Sequence, residues 1–274
     1  MSTAGPTARG RVLVAAGSDS GGGAGIQADI KTITALGGYA ATAITAITVQ
    51  DTLGVHDVFD IPPAIVESQM RVVLADIGAD AIKSGMLQNA DIIAAVAQVI
   101  EDLGKNIPYV LDPVMVAKGG APLIDASAVS LLTKRLLPLA SVVTPNVPEA
   151  EALTGKNIKT LEDMKACAQI LGDQSGAAVL LKGGHLSGDD VHDVFFYNGV
   201  HKIMTSPRID TKHTHGTGCT LASAVAAYLA QGLKLEDAVT RARDYVQDAI
   251  SHAPGFGRGH GPLGHGFPFI SRAN

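Results

Sequence analysis

The chain has 274 residues, a formal net charge of −5 and no tryptophan, and 46% of its residues are apolar. The acidic balance and the lack of a basic stripe exclude a nucleic-acid surface, and no apolar run approaches the roughly 18 residues of a membrane span. Two cysteines, Cys167 and Cys219, make no disulfide framework, so the expectation is a soluble cytoplasmic protein whose core is built from Ala, Val, Ile and Leu.

Met1 to Arg11 is polar and reads as a flexible leader, followed by a single domain over residues 12–274. Val12–Ala16 reads as a buried strand, followed by a Gly-rich loop and a helix with Ile26, Ile30 and Ile33 on one face, ending at Gly37. Ala40–Val49 and Val55–Ile61 are strands. Pro62-Pro63 opens a helix, as proline does at a first turn, with Ile65, Val66, Met70, Val73 and Leu74 inward. Ala81–Lys83 is a strand, and Ile92, Ile93, Val96, Val99 and Ile100 mark the next helix. Tyr109–Leu111 is a strand, followed by a long loop and a helix near Ala126–Leu137. Val142-Val143 is a strand that stops at Pro145. Thr160 with Asp163 has the form of a capping box for a helix carrying Leu161, Met164, Ala168 and Leu171, with Cys167 as packing. Ala178–Leu181 is another strand. Asn198-Gly199, between Val191–Tyr197 and Val200–Thr205, is a hairpin signal. A last amphipathic helix covers about Leu235–His252, and the Gly-, Pro- and His-rich tail from Pro254 reads as loop.

Alternating strand and helix units predict an α/β fold, a mainly parallel sheet with helices on both faces. Ligands of such sheets bind beyond the carboxyl ends of the strands, where this chain has Gly17, Asp19, Gln50, Gly85, Met86, Asp112, Val114, Asn146, Glu149 and Lys182. Asp112 and Asn146-x-x-Glu149 supply hard oxygens of the kind Mg²⁺ accepts. Asn146 and Glu149 equally suit the cap and first turn of a helix starting near Val147. Lys182 ends a buried strand, so its ammonium must meet solvent or an anion. Gly17 to Gly25 lacks the Lys-Ser/Thr ending of a P-loop and the spacing of a dinucleotide loop; a pocket lined by backbone suits it better. The histidines of the tail lack zinc spacing.

The stretch Thr211-Lys-His-Thr-His-Gly-Thr-Gly-Cys-Thr220 precedes the apolar face Leu221, Ala224, Val225, Tyr228 and Leu229. Gly216 and Gly218 permit a sharp turn and expose N–H groups at a helix N-terminus, a ready site for a phosphoryl group. The hydroxyls and bases around them, Thr214 among them, add donors. Cys219 sits within this helix end, which is expected to lower its pKa from about 8.5.

Taken together, the chain resembles the hydroxymethylpyrimidine/phosphomethylpyrimidine kinases of thiamin biosynthesis, members of the ribokinase-like superfamily. The resemblance runs from about Val12 to His265. It rests on Ala16-Gly-Ser-Asp19 with Gly22-Gly-Ala-Gly-Ile-Gln-Ala-Asp29, Val49-Gln50, Ser84-Gly-Met-Leu87, Leu111-Asp-Pro-Val-Met115 with Ala117-Lys118, Thr144-Pro-Asn-x-Pro-Glu149, Leu181-Lys-Gly-Gly-His185 and Thr214-His-Gly-Thr-Gly-Cys-Thr220. It implies a three-layer fold, ATP and Mg²⁺ as cofactors, successive phosphorylation of the pyrimidine alcohol and its monophosphate, and a homo-oligomer, most simply a dimer. It further implies that Gln50 hydrogen-bonds the pyrimidine, with Gly17, Asp19, Met86 and Val114 around it. Asp112 and Glu149 are implied at the metal, Lys182, Thr214 and Asn146 at ATP, and the Gly216–Cys219 amides at the anion hole, Cys219 standing where sugar kinases carry an Asp base. Two departures, Gly21 for a usual Ser and Asp51 for a common Asn, bear on substrate preference. Pyridoxal kinases share the cysteine motif and are the alternative.

Overall fold

Side-chain alternation along the central strands decides the layering. In the computed structural model, which describes residues 10–115 and 126–270, the strands are β1 (Arg11–Asp19), β2 (Tyr39–Gln50), β3 (Val55–Asp60), β4 (Ala81–Ser84), β5 (Tyr109–Leu111), β6 (Val142–Val143), β7 (Ala178–Leu181), β8 (Asp190–Tyr197) and β9 (Val200–Pro207). Most of the expected leader and the Ala117-Lys118 part of the motif lie outside the described residues. The strands form one nine-stranded sheet in the order β3-β2-β1-β4-β5-β6-β7-β8-β9. Its centre, β2 to β7, is parallel, while β3, β8 and β9 pair antiparallel at the two edges. Arg11, placed in the leader by its polarity, instead starts β1, where its guanidinium pairs with Asp80.

Leu13, Ala15, Ile82, Tyr109, Leu111, Val143, Val179 and Leu181 face one layer, which contains α2 (Pro63–Asp76), α3 (Ala90–Leu103), α4 (Ala126–Leu131), α5 (Val147–Thr154) and α6 (Leu161–Ser175). Their neighbours Val12, Val14, Ala16, Ala81, Val110, Val142, Ala178 and Leu180 face the other, made of α1 (Gly25–Ala35), α7 (Thr217–Ala230) and α8 (Leu235–Ser251). Successive residues of a strand point to opposite faces, so continuous apolar runs are what a sheet covered on both sides requires. The ribokinase-like three-layer expectation is met.

Local signals act as their chemistry dictates. Thr160 and Asp163 form a reciprocal capping box on α6, and Asn198-Gly199 takes positive φ values of 50° and 77° to turn the β8–β9 hairpin. Three readings are corrected. The helix near Ala126–Leu137 is α4 followed by a wide turn over Leu132–Leu136 and a tight one over Leu137–Leu139, because Pro138 cannot continue the ladder. Ile65 on α2 is 52% exposed, α2 burying only Val66 and Met70 fully. The tail is loop only as far as Gly266: Phe267–Ile270 form α9, and the loop itself buries Leu263 and His265.

His265 ties that tail to α7 through Thr220, with Nε2 and Oγ1 2.9 Å apart, while Tyr245 donates its hydroxyl to the His265 carbonyl at 2.8 Å. Burial, with Lys31 adding to it, lowers the His265 pKa from 6.5 to about 4. In the unfolded chain the ring titrates near 6.5, so between these values the unfolded state binds the extra proton. Stability is therefore complete above pH 6.5 and falls as pH drops towards 4, by about 1.4 kcal/mol per unit where steepest. His265→Gln should flatten the urea midpoint against pH over that window; an unchanged slope would assign the titration to another group.

Candidate active site

The chain runs outward from β1 to β2 and then returns to β4, so the connections leaving the carboxyl ends of the paired strands β1 and β4 pass to opposite faces of the sheet, through α1 and α3. That is the place where an open α/β sheet leaves a crevice. A cavity of about 1250 Å³ opens there. It gathers Gly17, Asp19, Gln50, Met86, Asp112 and Val114, then Asn146, Glu149, Lys182, Thr214, Gly216, Gly218 and Cys219, while Gly85, expected at the same rim, does not line it. His185 reaches its edge.

One end of the cavity is built for charge. Gly216 precedes α7 with φ 85°, and a Cβ there would run into the Gly23 carbonyl, so this turn needs glycine and interlocks with the Gly-rich loop. The first N–H groups of α7 have no helical partner. Beside them, Lys182 Nζ lies 3.2 Å from Asp112 Oδ1 and 3.9 Å from Glu149 Oε2, and a Cβ on Gly218 would sit 3.1 Å from that ammonium. Thr144 donates its hydroxyl to Asp112 Oδ1 at 3.1 Å. Asn146 and Glu149 form a capping box on α5, the Glu149 N–H donating to Asn146 Oδ1 (2.9 Å) and the Asn146 N–H to Glu149 Oε2 (2.7 Å). Their capping reading is thus realised, and the cap itself holds Glu149 in the cavity wall. Burial pushes the Glu149 carboxyl up to about 7, with Lys182 opposing and Asp112 assisting.

Asp112 Oδ2 is buried without a hydrogen-bond partner, an orphaned hard oxygen that a divalent cation would satisfy. Among the described residues there is no cluster of three or more His, Cys, Asp or Glu side chains able to cage a metal. The donor set therefore fits a cation held by one or two carboxylates plus waters and phosphates, the manner of Mg²⁺.

The other end is shaped for a small ring. A Cβ on Gly17 would lie 2.5 Å from Met86 Cε, so glycine there lets the thioether pack on the strand. Thr48 donates its hydroxyl to Ser18 O at 2.9 Å and approaches Gln50 Oε1 at 3.1 Å. The Gln50 amide nitrogen lies 3.2 Å from His215 Nε2, which is 2.9 Å from Asp19 Oδ2. Asp19 does not reach into open space. It accepts from Gly21 N, Gly23 N and Ala24 N at 2.8–3.0 Å and so closes the Gly-rich loop just ahead of α1. In the sequence, His215 is one donor among several in its motif. Its central position depends on a contact across 196 residues, for which the local sequence holds no signal.

The expected lowering of the Cys219 pKa is corrected. Burial is the dominant influence and pushes the thiol up to about 12, against the pull of Lys83 and of the Gly25 N–H and with Asp29 and Asp112 adding to the rise. Desolvation outweighs the helix end.

This geometry coincides with a family match. Residues 19–264 fit the model of the family described as phosphomethylpyrimidine kinase. The chain belongs to that family. It is 52% identical over 260 residues to the thiamine biosynthesis bifunctional protein ThiED of Geobacter sulfurreducens, covering 95% of this chain and 53% of that longer protein. It is 48% identical to the hydroxymethylpyrimidine/phosphomethylpyrimidine kinase of Haemophilus influenzae, covering 93% of this chain and 96% of the relative. Among solved structures, the ADP complex of Bacillus subtilis pyridoxal kinase superposes with a TM-score of 0.88 at 36% identity, covering 97% of this chain and all of that one (100%). Neither departure from the phosphomethylpyrimidine kinase pattern lines the cavity. Asp51 closes the β2–β3 turn by accepting from Leu53 N and Gly54 N. Among the described residues, no helix is long and apolar enough to cross a membrane.

Proposed function

We propose that this kinase transfers the γ-phosphoryl group of ATP to the hydroxymethyl group of 4-amino-5-hydroxymethyl-2-methylpyrimidine, and then a second phosphoryl group to the monophosphate, as a cytoplasmic enzyme of thiamin synthesis. The observation that carries the reading is the two-ended cavity, with Gln50, Met86 and Val114 at one end and Lys182 beside the α7 N-terminus at the other. Phosphoryl transfer needs mainly positioning and charge neutralisation, and the second end offers both. The α7 amides meet charge developing on the transferred group, and Lys182 meets the phosphates it leaves. Asp112 and Glu149 would hold Mg²⁺, which neutralises phosphate charge when bound. Gln50 pairs with the amino group and ring nitrogen of the pyrimidine. Arg208, Ile209 and Val246, where the cavity runs past β9 and α8, suit the nucleoside.

The likeness to a pyridoxal kinase supports one rival substrate. ATP consumption with the pyrimidine alcohol and with pyridoxal, measured side by side, tests the reading. Turnover of the pyrimidine through both steps, abolished by EDTA, is expected; turnover of pyridoxal alone, or full activity in EDTA, would overturn it. A homodimer belongs to the same proposal, supported by Tyr39, Ile47, Val49 and Phe59 standing exposed on β2 and the edge strand β3. Sedimentation giving only monomer at working concentration would reject it.

A thiol pushed up to about 12 is almost wholly protonated at neutral pH and a poor general base. Cys219→Ala should therefore slow the alcohol and monophosphate steps to a similar degree, because both develop charge against the same helix end. Single-turnover rates for each acceptor provide the check. A loss confined to the alcohol step would instead make Cys219 its base.

A further inference from the structure

Two groups meet at one histidine nitrogen, and counting protons there decides how the cavity reads its ligand. His215 Nε2 lies 2.9 Å from Asp19 Oδ2 and 3.2 Å from the end of the Gln50 amide, whose other end lies 3.1 Å from Thr48 Oγ1. The ring is seated firmly. The His215 backbone N–H donates to the Gly261 carbonyl at 3.1 Å, and Gly23 lies so close that a Cβ there would be 2.5 Å from the ring carbon Cδ2 of His215.

Asp19 is a carboxylate. Burial works against its charge, but the His215 ring and the N–H groups of Ala24 and Gly21 hold it below the usual carboxylate range. It has no proton to give, so the 2.9 Å contact requires the proton on His215 Nε2. That nitrogen then has no lone pair for Gln50, and the amide must turn its carbonyl oxygen towards it. The amide oxygen and nitrogen are exchangeable on shape alone and are assigned by their network. With the carbonyl towards His215, the NH₂ group donates to Thr48 Oγ1, whose own proton goes to Ser18 O at 2.9 Å. With the opposite orientation, NH₂ would face an N–H, and the carbonyl would compete with Ser18 O for one hydroxyl proton. Only one orientation closes the chain.

We propose that Asp19 and His215 are specificity-determining positioning residues. They lock the Gln50 amide so that its free lone pair and free N–H face the cavity in a fixed order. This rests on the pyrimidine reading above. An aminopyrimidine presents an amino donor beside a ring-nitrogen acceptor and matches that order. The 4-oxo congener presents an acceptor beside a ring N–H and requires the amide reversed. The lock therefore selects the amino tautomeric pattern, and Gln50 alone, free to turn, would not.

The test compares turnover of the 4-amino and 4-oxo forms of 5-hydroxymethyl-2-methylpyrimidine by wild type, His215→Phe and His215→Gln. Phenylalanine keeps the ring against Gly23 and removes the N–H; glutamine returns an N–H at similar reach. In His215→Phe the preference for the amino form should fall about tenfold or more, as when a site's paired polar groups lose their register, through a raised KM for the amino substrate with KM for ATP little changed. His215→Gln should restore most of the preference. An unchanged preference in His215→Phe, or equal loss of turnover in both variants with preference intact, would overturn the lock. ¹⁵N NMR of the wild-type imidazoles gives a readout independent of folding in the variants: His215 Nε2 must carry a proton, and an unprotonated Nε2 rejects the proposal. If wild type phosphorylates neither pyrimidine, the functional reading itself fails; if it phosphorylates the amino form and preference survives His215→Phe, only the lock fails.

Discussion

Lys182→Met should lower turnover by about 10²–10³-fold, the usual loss when one charge-stabilising donor is taken from a site of developing charge, while the fold survives. Lys182 leaves β7 at its carboxyl end and places Nζ between Asp112 Oδ1 (3.2 Å) and Glu149 Oε2 (3.9 Å). Methionine keeps the buried stem and removes only the ammonium. The effect has a pH signature. Glu149 titrates at about 7, raised by burial and Asp112 and held down by Lys182. Protonation of Glu149 thus competes with the cation, so at limiting Mg²⁺ activity should climb as the pH rises through 7 in the wild type, and saturating Mg²⁺ should move that climb to lower pH. Without the Lys182 charge that climb should move to higher pH. Steady-state kcat from pH 6 to 9 for both proteins is the measurement. A variant with wild-type kcat, or one whose pH profile stays in place, would remove Lys182 from the phosphate end.

The sequence showed the ends of strands clearly because polarity changes abruptly there: Asp112 follows Tyr109–Leu111, Lys182 follows Ala178–Leu181, and Gln50 closes β2. A parallel sheet converts those ends into one crevice, which is why residues far apart in sequence could be assigned to one rim. What sequence could not show is depth and cross-chain company. The local motif around Cys219 argues for a lowered pKa, yet the groups that act on the thiol, Lys83 on β4 and Asp29 and the Gly25 N–H on α1, come from distant parts of the chain. His215 and Asp19 read as unconnected rim residues until Gly216 and Gly23 interlock. The tail's Gly- and Pro-rich composition resembles free loop, but its glycines allow it to press on the site: a Cβ on Gly261 would strike His213 and one on Gly259 the Thr52 carbonyl. Ile65 followed the helical period but sits on a helix whose outer flank faces solvent.

Lys83→Met should destabilise the fold by about 3–5 kcal/mol, the range for breaking a buried ion pair by removing one partner. Lys83 on β4 and Asp29 on α1 are both 0% exposed, with Nζ and Oδ1 2.9 Å apart, and Ser223 on α7 donates to the same oxygen at 2.6 Å. Burial is the largest single influence and opposes the Lys83 charge, but Asp29, Cys219 and Asp112 together more than offset it. Asp29 Oδ2 has no hydrogen-bond partner, so once Lys83 is gone only the Ser223 hydroxyl is left to answer a carboxylate deep between sheet and helices. The loss is then a penalty for the stranded charge, not a measure of what the pair contributes. Lys83→Met combined with Asp29→Leu separates the two, since replacing both members of a buried pair by apolar groups is often close to neutral. The double variant should recover most of the urea-unfolding free energy. Its Cys219 should then alkylate at close to the wild-type rate at pH 8–9, and only slightly more slowly, because the Lys83 cation that draws the thiol towards ionisation leaves together with the Asp29 carboxylate that opposes it; Cys167, buried in α6, contributes little to that signal. A double variant as unstable as the single would show that packing at Lys83, not its charge, is what the core requires.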